Sequence, residues 1–435
     1  MMAAMAKFRD DIGALTTTAG TSTAYTLTSN QGFTSLTNGL ICGFYLHTAC
    51  GATVTLNVDG LGAKPLRAVS TVELYSGQVP PGVYRATYYT SNSEWILQDA
   101  AMTLAIGSTP TSFRNVVGRN GGMEIWQRGT SIAQAASLTA YTADGWYLKN
   151  GANQASVVSR QSGLTNQSVY CAQVQRNSGQ TGTGTMYFAC PLDVDELQKM
   201  RGQLLVLSFT ASAGANWSPT SGTLTYTLYV GTGGITKRGA SAFTGETTPI
   251  TSSVNLTPGG GAGRTVSAVS SSVATNIGQA ELQFNWAPTG TAGANDWVQI
   301  DDIQLEIMPA NFVGTPIFER TDHAQDLARC YRHWNQTYEE GTAPGTVTST
   351  AALKSITNGA GTSAVSWQLP IEMRATPTYV VYNAITGATN TWQDGGGNDR
   401  SIVLQNNSKR GVTASCTTAS NNSAIAGHLT ADATI

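Results

Sequence analysis

Apolar and polar residues alternate in short runs along most of this chain. From Trp297 to Ile307 the sequence reads WVQIDDIQLEI, with Val298, Ile300, Ile303, Leu305 and Ile307 apolar and one break in phase at Asp301-Asp302. A period of two marks a strand with one buried face, and the break marks a bulge at the acidic pair. Tyr25 and Leu27 alternate with Thr26 and Thr28, and Val54, Leu56 and Val58 with Thr53, Thr55 and Asn57. Asp59-Gly60 then supplies turn residues that tolerate positive φ. Gly82–Tyr89 and Glu94–Leu97 predict two strands joined by the polar tip Thr90–Ser93. Leu204–Phe209, Leu224–Val230 and Glu281–Trp286 predict core strands. Ala364–Leu369, the end of Arg374–Tyr382, Val403–Leu404, Gly411–Thr417 and Ala424–Ala433 predict the last ones. Gly387 to Ser401 reads as a long polar loop.

Helical spacing is confined to three places. Met1, Met5, Phe8, Ile12 and Leu15 are spaced 4, 3, 4, 3, a heptad seam that is shorter than the roughly three to four heptads of a stable coiled coil. Asp193–Gly202 predicts a short helix stopped by glycine. Asp322 caps a third, with Gln325 three residues on and Ala324, Leu327, Ala328, Tyr331 and Trp334 on one face. Pro309 and Pro316 hold the segment before it extended.

These elements predict an all-β chain of tandem β-sandwich, jelly-roll domains with a short N-terminal helix and one short helix near 322–334. The predicted organisation is a helix over 1–20 that serves attachment or oligomerisation or else caps its own domain, a small β-sandwich over 21–105, a Gly/Ser/Thr linker around 106–114, a jelly roll over 115–308 and a C-terminal β-domain over 310–435. At 435 residues two to four domains are expected.

Charged residues make up 11% of the chain, against about 25% in an average protein. With 47 glycines and abundant Ser and Thr, this fits many strands and turns. A net charge of −2 leaves no basic footprint for nucleic acid. No apolar run reaches the roughly 18 residues of a membrane span, and Lys7, Arg9, Asp10 and Asp11 interrupt any signal-peptide core. The six cysteines, at 42, 50, 171, 190, 330 and 416, lack zinc spacing; for a chain made in a reducing cytosol buried free thiols are expected, with Cys42–Cys50 and Cys171–Cys190 bridges between neighbouring strands as the alternative.

No nucleophile elbow, phosphate-binding loop or zinc-protease helix is present. Glycoside hydrolysis needs two carboxylates facing across a cleft. The candidates are Asp301 with Asp302, Asp193 with Asp195 and Glu196, and Glu339 with Glu340. Neighbours on a regular strand point to opposite faces, and acids at a helix start serve its dipole, so no catalytic residue is assigned. Sugar recognition needs flat aromatic faces and planar polar groups. Trp392, among Asp394, Asp399 and Arg400, and Trp217 in Ala-Asn-Trp-Ser-Pro, are the candidates. For each, the competing reading is a ring that plugs its own domain.

Three segments carry a resemblance: Ala24–Leu27 with Ala52–Pro65, NGGMEIWQRGTS from Asn120 with YTADGWY from Tyr141, and IDDIQLEI followed by TPIFER and LARCYRHW. Their order resembles bacteriophage tail fibre and receptor-binding tail proteins, and the middle region resembles jelly-roll carbohydrate-binding modules. The resemblance implies a homotrimer made in the bacterial cytoplasm and built into the virion tail. It implies oligomerisation through Met5, Phe8, Ile12 and Leu15, docking on other tail or baseplate proteins through the N-terminus, and binding of host surface polysaccharide or lipopolysaccharide. It implies neither nucleic-acid binding nor membrane insertion. It brings no cofactor, but it allows a structural Ca2+ held by Asp301 or Asp302 with carbonyls near Asn120–Glu124; a bulge with solvated acids is the preferred alternative. A tail connector that touches no receptor and a polysaccharide-degrading tail spike are the alternative functions.

Overall fold

The computed structural model describes residues 15–74, 77–98, 119–152, 154–239, 241–268, 272–307, 318–356, 361–418 and 424–435. The described residues up to 98 form one compact unit, and those from 119 onward form a second. Met5, Phe8 and Ile12 of the predicted seam lie outside the described residues.

In the first unit, β1 (Thr16–Thr17), β2 (Ala19–Thr21), β3 (Ala24–Leu27), β4 (Ile41–Leu46), β5 (Thr55–Val58), β6 (Lys64–Arg67), β7 (Gly82–Tyr89) and β8 (Glu94–Leu97) form one eight-stranded sheet in the order β1-β4-β7-β8-β6-β5-β3-β2. Alternate residues fill one core that includes Tyr25, Phe44, Leu56, Tyr88 and Trp95. Strands β7 and β8 pair antiparallel on either side of the predicted tip. Asp59 and Gly60 take φ of 51° and 73°, as their turn chemistry requires. Asp59 also accepts from the backbone N–H groups of Ser29 and Phe33, pinning a second loop.

The second unit opens with β9 (Ser131–Gln134), β10 (Thr139–Tyr141), β11 (Tyr147–Lys149), β12 (Ser156–Ser162), β13 (Tyr170–Arg176), β14 (Met186–Pro191), β15 (Leu205–Ala213), β16 (Thr223–Gly231), β17 (Thr247–Asn255), β18 (Gly263–Ala268), β19 (Gln279–Trp286) and β20 (Trp297–Ile307). They make two six-stranded sheets, β10-β11-β14-β19-β16-β17 and β18-β15-β20-β13-β12-β9. The chain passes repeatedly from one sheet to the other, as in a jelly roll. Phe188, Phe284, Phe209, Val298 and Ile300 meet between the sheets. Helix α1 (Val194–Met200) bridges β14 to β15. Asp193 caps it, Glu196 completes a capping box, and Gly202 ends it at φ 71°.

The C-terminal part adds α2 (His323–Tyr331), β21 (Trp334–Gln336), β22 (Leu353–Ile356), β23 (Gly361–Gln368), β24 (Thr378–Asn383), β25 (Thr391–Asp394), β26 (Asp399–Ser401), β27 (Val403–Ser408), β28 (Gly411–Thr418) and β29 (Ala424–Asp432). Strand β29 pairs with β21, β22, β24 and β25 along its length, while β23, β28 and β27 form a separate three-stranded sheet. These strands enclose their own core around Trp392, Met373, Ile425 and Leu429, although residues 119–307 and 318–435 share one compact unit.

Two element-level expectations change. The polar segment Gly387–Ser401 is a hairpin of β25 and β26 rather than a loop, with Trp392 opposite Arg400. Helix α2 keeps its Asp322 cap, which accepts from the N–H groups of Ala324 and Gln325. Its buried residues are Asp326 and Cys330, however, and Ala324 is exposed. Trp334 begins β21 instead of closing the helix.

Candidate functional site

Trp392 is fully buried, and its ring lies against Gly427 of β29. A Cβ on Gly427 would sit 1.8 Å from Trp392 Cδ1, so the glycine makes room for the indole. A ring without an exposed face cannot stack on a sugar, and the expectation for Trp392 is corrected on that ground. Trp217 is 5% exposed. Its Nε1–H donates to the Gly222 carbonyl at 2.9 Å, and its ring meets Trp286 at 5.7 Å. It therefore plugs one end of the jelly roll.

Asp394 is a turn organiser. It accepts from the backbone N–H groups of Gly396 and Asn398, each at 2.9 Å, and from Arg400 Nε at 2.7 Å. The Asn398 N–H, followed by Arg400 and the other donors, draws its carboxyl down to about 2. Asp399 is exposed and accepts from Asn383 Nδ2 at 2.8 Å.

Asp399 and Arg400 line an open groove of about 520 Å³ with Thr362, Ser401, Gln405 and Ser415. Strand β26 supplies one wall, and the sheet β23-β28-β27 supplies the other. Of the sugar-binding candidates, the fold brings these two into one concave surface. Of the missed members, Gln405 and Ser415 lie on the local hairpin β27–β28, and Thr362 joins them through the non-local pairing of β23 with β28, so no short motif marks the three together.

The acidic pair on β20 is a bulge. Ser208 and Thr210 of β15 face Gln304 and Asp301, leaving an extra residue on β20, and Asp302 has φ 49°. Both acids are buried, not solvated as expected. Asp301 accepts from the N–H groups of Asp302 at 2.7 Å and Leu164 at 3.0 Å. Asp302 accepts from the hydroxyls of Thr165 at 2.6 Å and Ser168. Burial, then repulsion from Asp302, pushes the Asp301 carboxyl up to about 7. The carboxylates are oxygen ligands of the kind a calcium ion takes, but backbone N–H groups already fill those of Asp301 and hydroxyls those of Asp302, and among the described residues no cluster of three or more metal-ligating side chains occurs.

Asp193, Asp195, Glu196 and Glu340 are engaged within the protein, and Glu339 is exposed. Asp193 and Glu196 form the α1 capping box, and Glu196 pairs with Arg119 at 3.3 Å. Arg332 pairs with Asp195 at 3.3 Å, and His323 with Glu340 at 3.3 Å. On the outer face of the β14-β19-β16 strands, Tyr147 donates to Glu281 at 2.7 Å. Glu281 also accepts from the Arg238 backbone N–H at 2.9 Å, and Arg238 pairs with Glu246 at 2.8 Å. The loop bearing Arg238 thus closes over that face. Burial raises Glu281 to about 7. All six cysteines are buried and unbridged, as expected.

The segment after Asn120 clamps the C-terminal part. Asp326 accepts the Asn120 N–H at 2.9 and 3.0 Å, Gln336 donates to the Gln127 carbonyl at 2.6 Å, and the Arg128 guanidinium lies 3.9 Å from the Trp334 ring centre. The NGGMEIWQRG motif is in this sense a structural joint.

Neither a protein-family model nor a curated protein matches the chain. Among solved structures, a CBM4 protein aligns at 16% identity over 44% of this chain and 99% of its own, with a TM-score of 0.27. The CBM22-2 xylan-binding domain of Paenibacillus barcinonensis Xyn10C aligns at 14% identity over 40% of this chain and 100% of its own, with a TM-score of 0.25. The enzymatically active domain of bacteriophage CBA120 tailspike protein 4 aligns at 11% identity over 45% of this chain and 21% of its own, with a TM-score of 0.26. The jelly-roll assignment rests on the strand order given above.

Proposed function

We propose that the chain is a glycan-binding attachment protein of a phage-type tail fibre. The groove around Asp399 and Arg400 carries the glycan part of this reading. A guanidinium, a carboxylate, an amide and several hydroxyls converge there, a donor and acceptor set suited to the hydroxyls of a saccharide. The tail-fibre part is supported by the order of the three sequence resemblances. Without a stacking tryptophan, binding depends on hydrogen bonds, each worth only about 1 kcal/mol net against water. A single site is therefore weak, and strength comes from repetition on one particle. A structural Ca2+ at Asp301, Asp302, Thr165 and Ser168 would have to displace the hydrogen bonds these groups make, and it would lie away from this groove.

The test is binding of the purified chain to immobilised host polysaccharide and lipopolysaccharide. Gln405→Ala, and Asp399→Asn, which keeps an acceptor for the buried Asn383 amide, should each weaken binding about five-fold, the worth of one hydrogen bond, with unchanged melting. Binding that neither substitution moves would remove the groove as the site. A wild-type chain that ignores every host glycan but binds a tail component would favour the connector.

A further inference from the structure

A cavity of about 120 Å³ lies between α1 and the end of α2. It shares no lining residue with the groove around Asp399. Its walls carry more positive than negative charge: Arg119, Lys199, Arg329 and Arg332 face it together with Asp193, Asp195 and Glu196, and Arg374 stands 3.7 Å from Asp193. The three acids already serve the protein. Glu196 accepts from the Arg119 guanidinium and the Asp193 N–H, Asp195 pairs with Arg332 at 3.3 Å, and Asp193 caps α1. His333 completes the wall and is 4% exposed. Its Nε2 stands 3.5 Å from Asp193, and its Nδ1 has no hydrogen-bond partner among the described residues. A buried polar atom without a partner is unfavourable, so it marks a position that a ligand atom improves.

We infer that this cavity binds a small oxyanion, a sulfate, phosphate or carboxylate group. An apolar ligand would strip water from the charges without replacing it, and a cation would meet the excess of positive charge. Oxyanions accept several charge-assisted bonds at once, and Lys199 on α1 and Arg329 on α2 bring donors from two walls. Basic residues near the end of α2 also favour its dipole, but that role needs neither a cavity nor an unpartnered imidazole. Burial, then Arg119, Arg374, Arg332 and Arg128, hold His333 well below the usual histidine range. The ring thus sits in a positive field even with Asp193 beside it, which is the field that attracts an anion. Once protonated, both ring nitrogens donate, Nε2 toward Asp193 and Nδ1 toward the anion. Anion binding and protonation of His333 therefore favour each other.

The experiment is calorimetric titration of the full-length chain with inorganic sulfate and, separately, with glucuronate, in chloride of matched ionic strength. The two probes separate a free ion from the acidic group of a saccharide, and neither titrates between pH 6 and pH 8. Saturable binding by at least one probe is expected, tighter at pH 6 than at pH 8. Lys199→Gln and Arg329→Gln, both at half-buried positions, should each weaken it about ten-fold, the worth of one charge-assisted hydrogen bond. Lys409→Gln, at an exposed position, should not. Preference for sulfate supports a free ion as the ligand, and preference for glucuronate an acidic saccharide. Absence of saturable binding by either probe, or binding that Lys199→Gln and Arg329→Gln both leave unchanged, would overturn the inference. Gln405→Ala tests the groove and leaves this cavity intact, so the two readings fail separately.

Discussion

At the scale of single residues, burial decides what each side chain does. Trp392 is a core residue that Gly427 accommodates. Trp392→Ala should cost about 3–5 kcal/mol, the usual range for a large aromatic removed from a core, and Gly427→Ala should destabilise the same part of the fold because its Cβ meets the ring. Denaturant melts of both variants check this. Asp301 offers a pH test. Its folded pKa of about 7 lies above the ordinary value of 3.8, so the folded state holds the proton more tightly than the unfolded chain. Below 3.8 both states are protonated and the site imposes no cost. As pH rises from 3.8 to about 7, the unfolded chain releases its proton first and stability falls, with the full cost present above about 7. Without divalent ions, Asp301→Asn should therefore gain stability relative to wild type as pH rises through that window. With calcium bound the order reverses: the wild type gains stability at neutral pH and Asp301→Asn does not. Melts with calcium and with chelator, across pH, separate a protonated site from a metal site.

At the scale of elements, local signals were legible and non-local ones were not. Strand β20 announced itself by its period, and its bulge by the phase break at Asp301-Asp302, because both are written in adjacent residues. The caps of α1 and α2 were readable for the same reason. The buried face of α2 was not. Asp326 looks like a solvent-facing acid, but its partner is the Asn120 N–H, 206 residues away in the chain. The β25–β26 hairpin was hidden by Asp394, Asn398 and Arg400, whose polarity reads as a loop until their bonds to one another are seen. The Asp326 contact makes a prediction of its own. Asp326→Ala leaves the buried Asn120 N–H without its acceptor, which should cost about 1–3 kcal/mol. It should also hasten proteolytic release of residues beyond α2, read by timed digestion and mass spectrometry, whereas Glu319→Ala at an exposed position should not.

At the scale of the whole molecule, the strength of one groove and the number of grooves are different quantities, which makes them separable. On the function proposed above, the groove sets the affinity of one chain for one saccharide, and the number of chains held together sets how many grooves reach a surface at once. Linked copies rebind from an effective concentration that lifts avidity by about 10²–10⁴ without any new contact. Coupling many copies of the chain to one bead should therefore leave the affinity for a short soluble glycan unchanged while retention on a glycan-coated surface rises by about 100-fold or more. Gln405→Ala should weaken both in proportion, because it alters each site and leaves the number of sites alone. Calorimetry with the soluble glycan and surface retention of the same samples give the two numbers. If coupling raised neither, attachment would depend on one chain at a time.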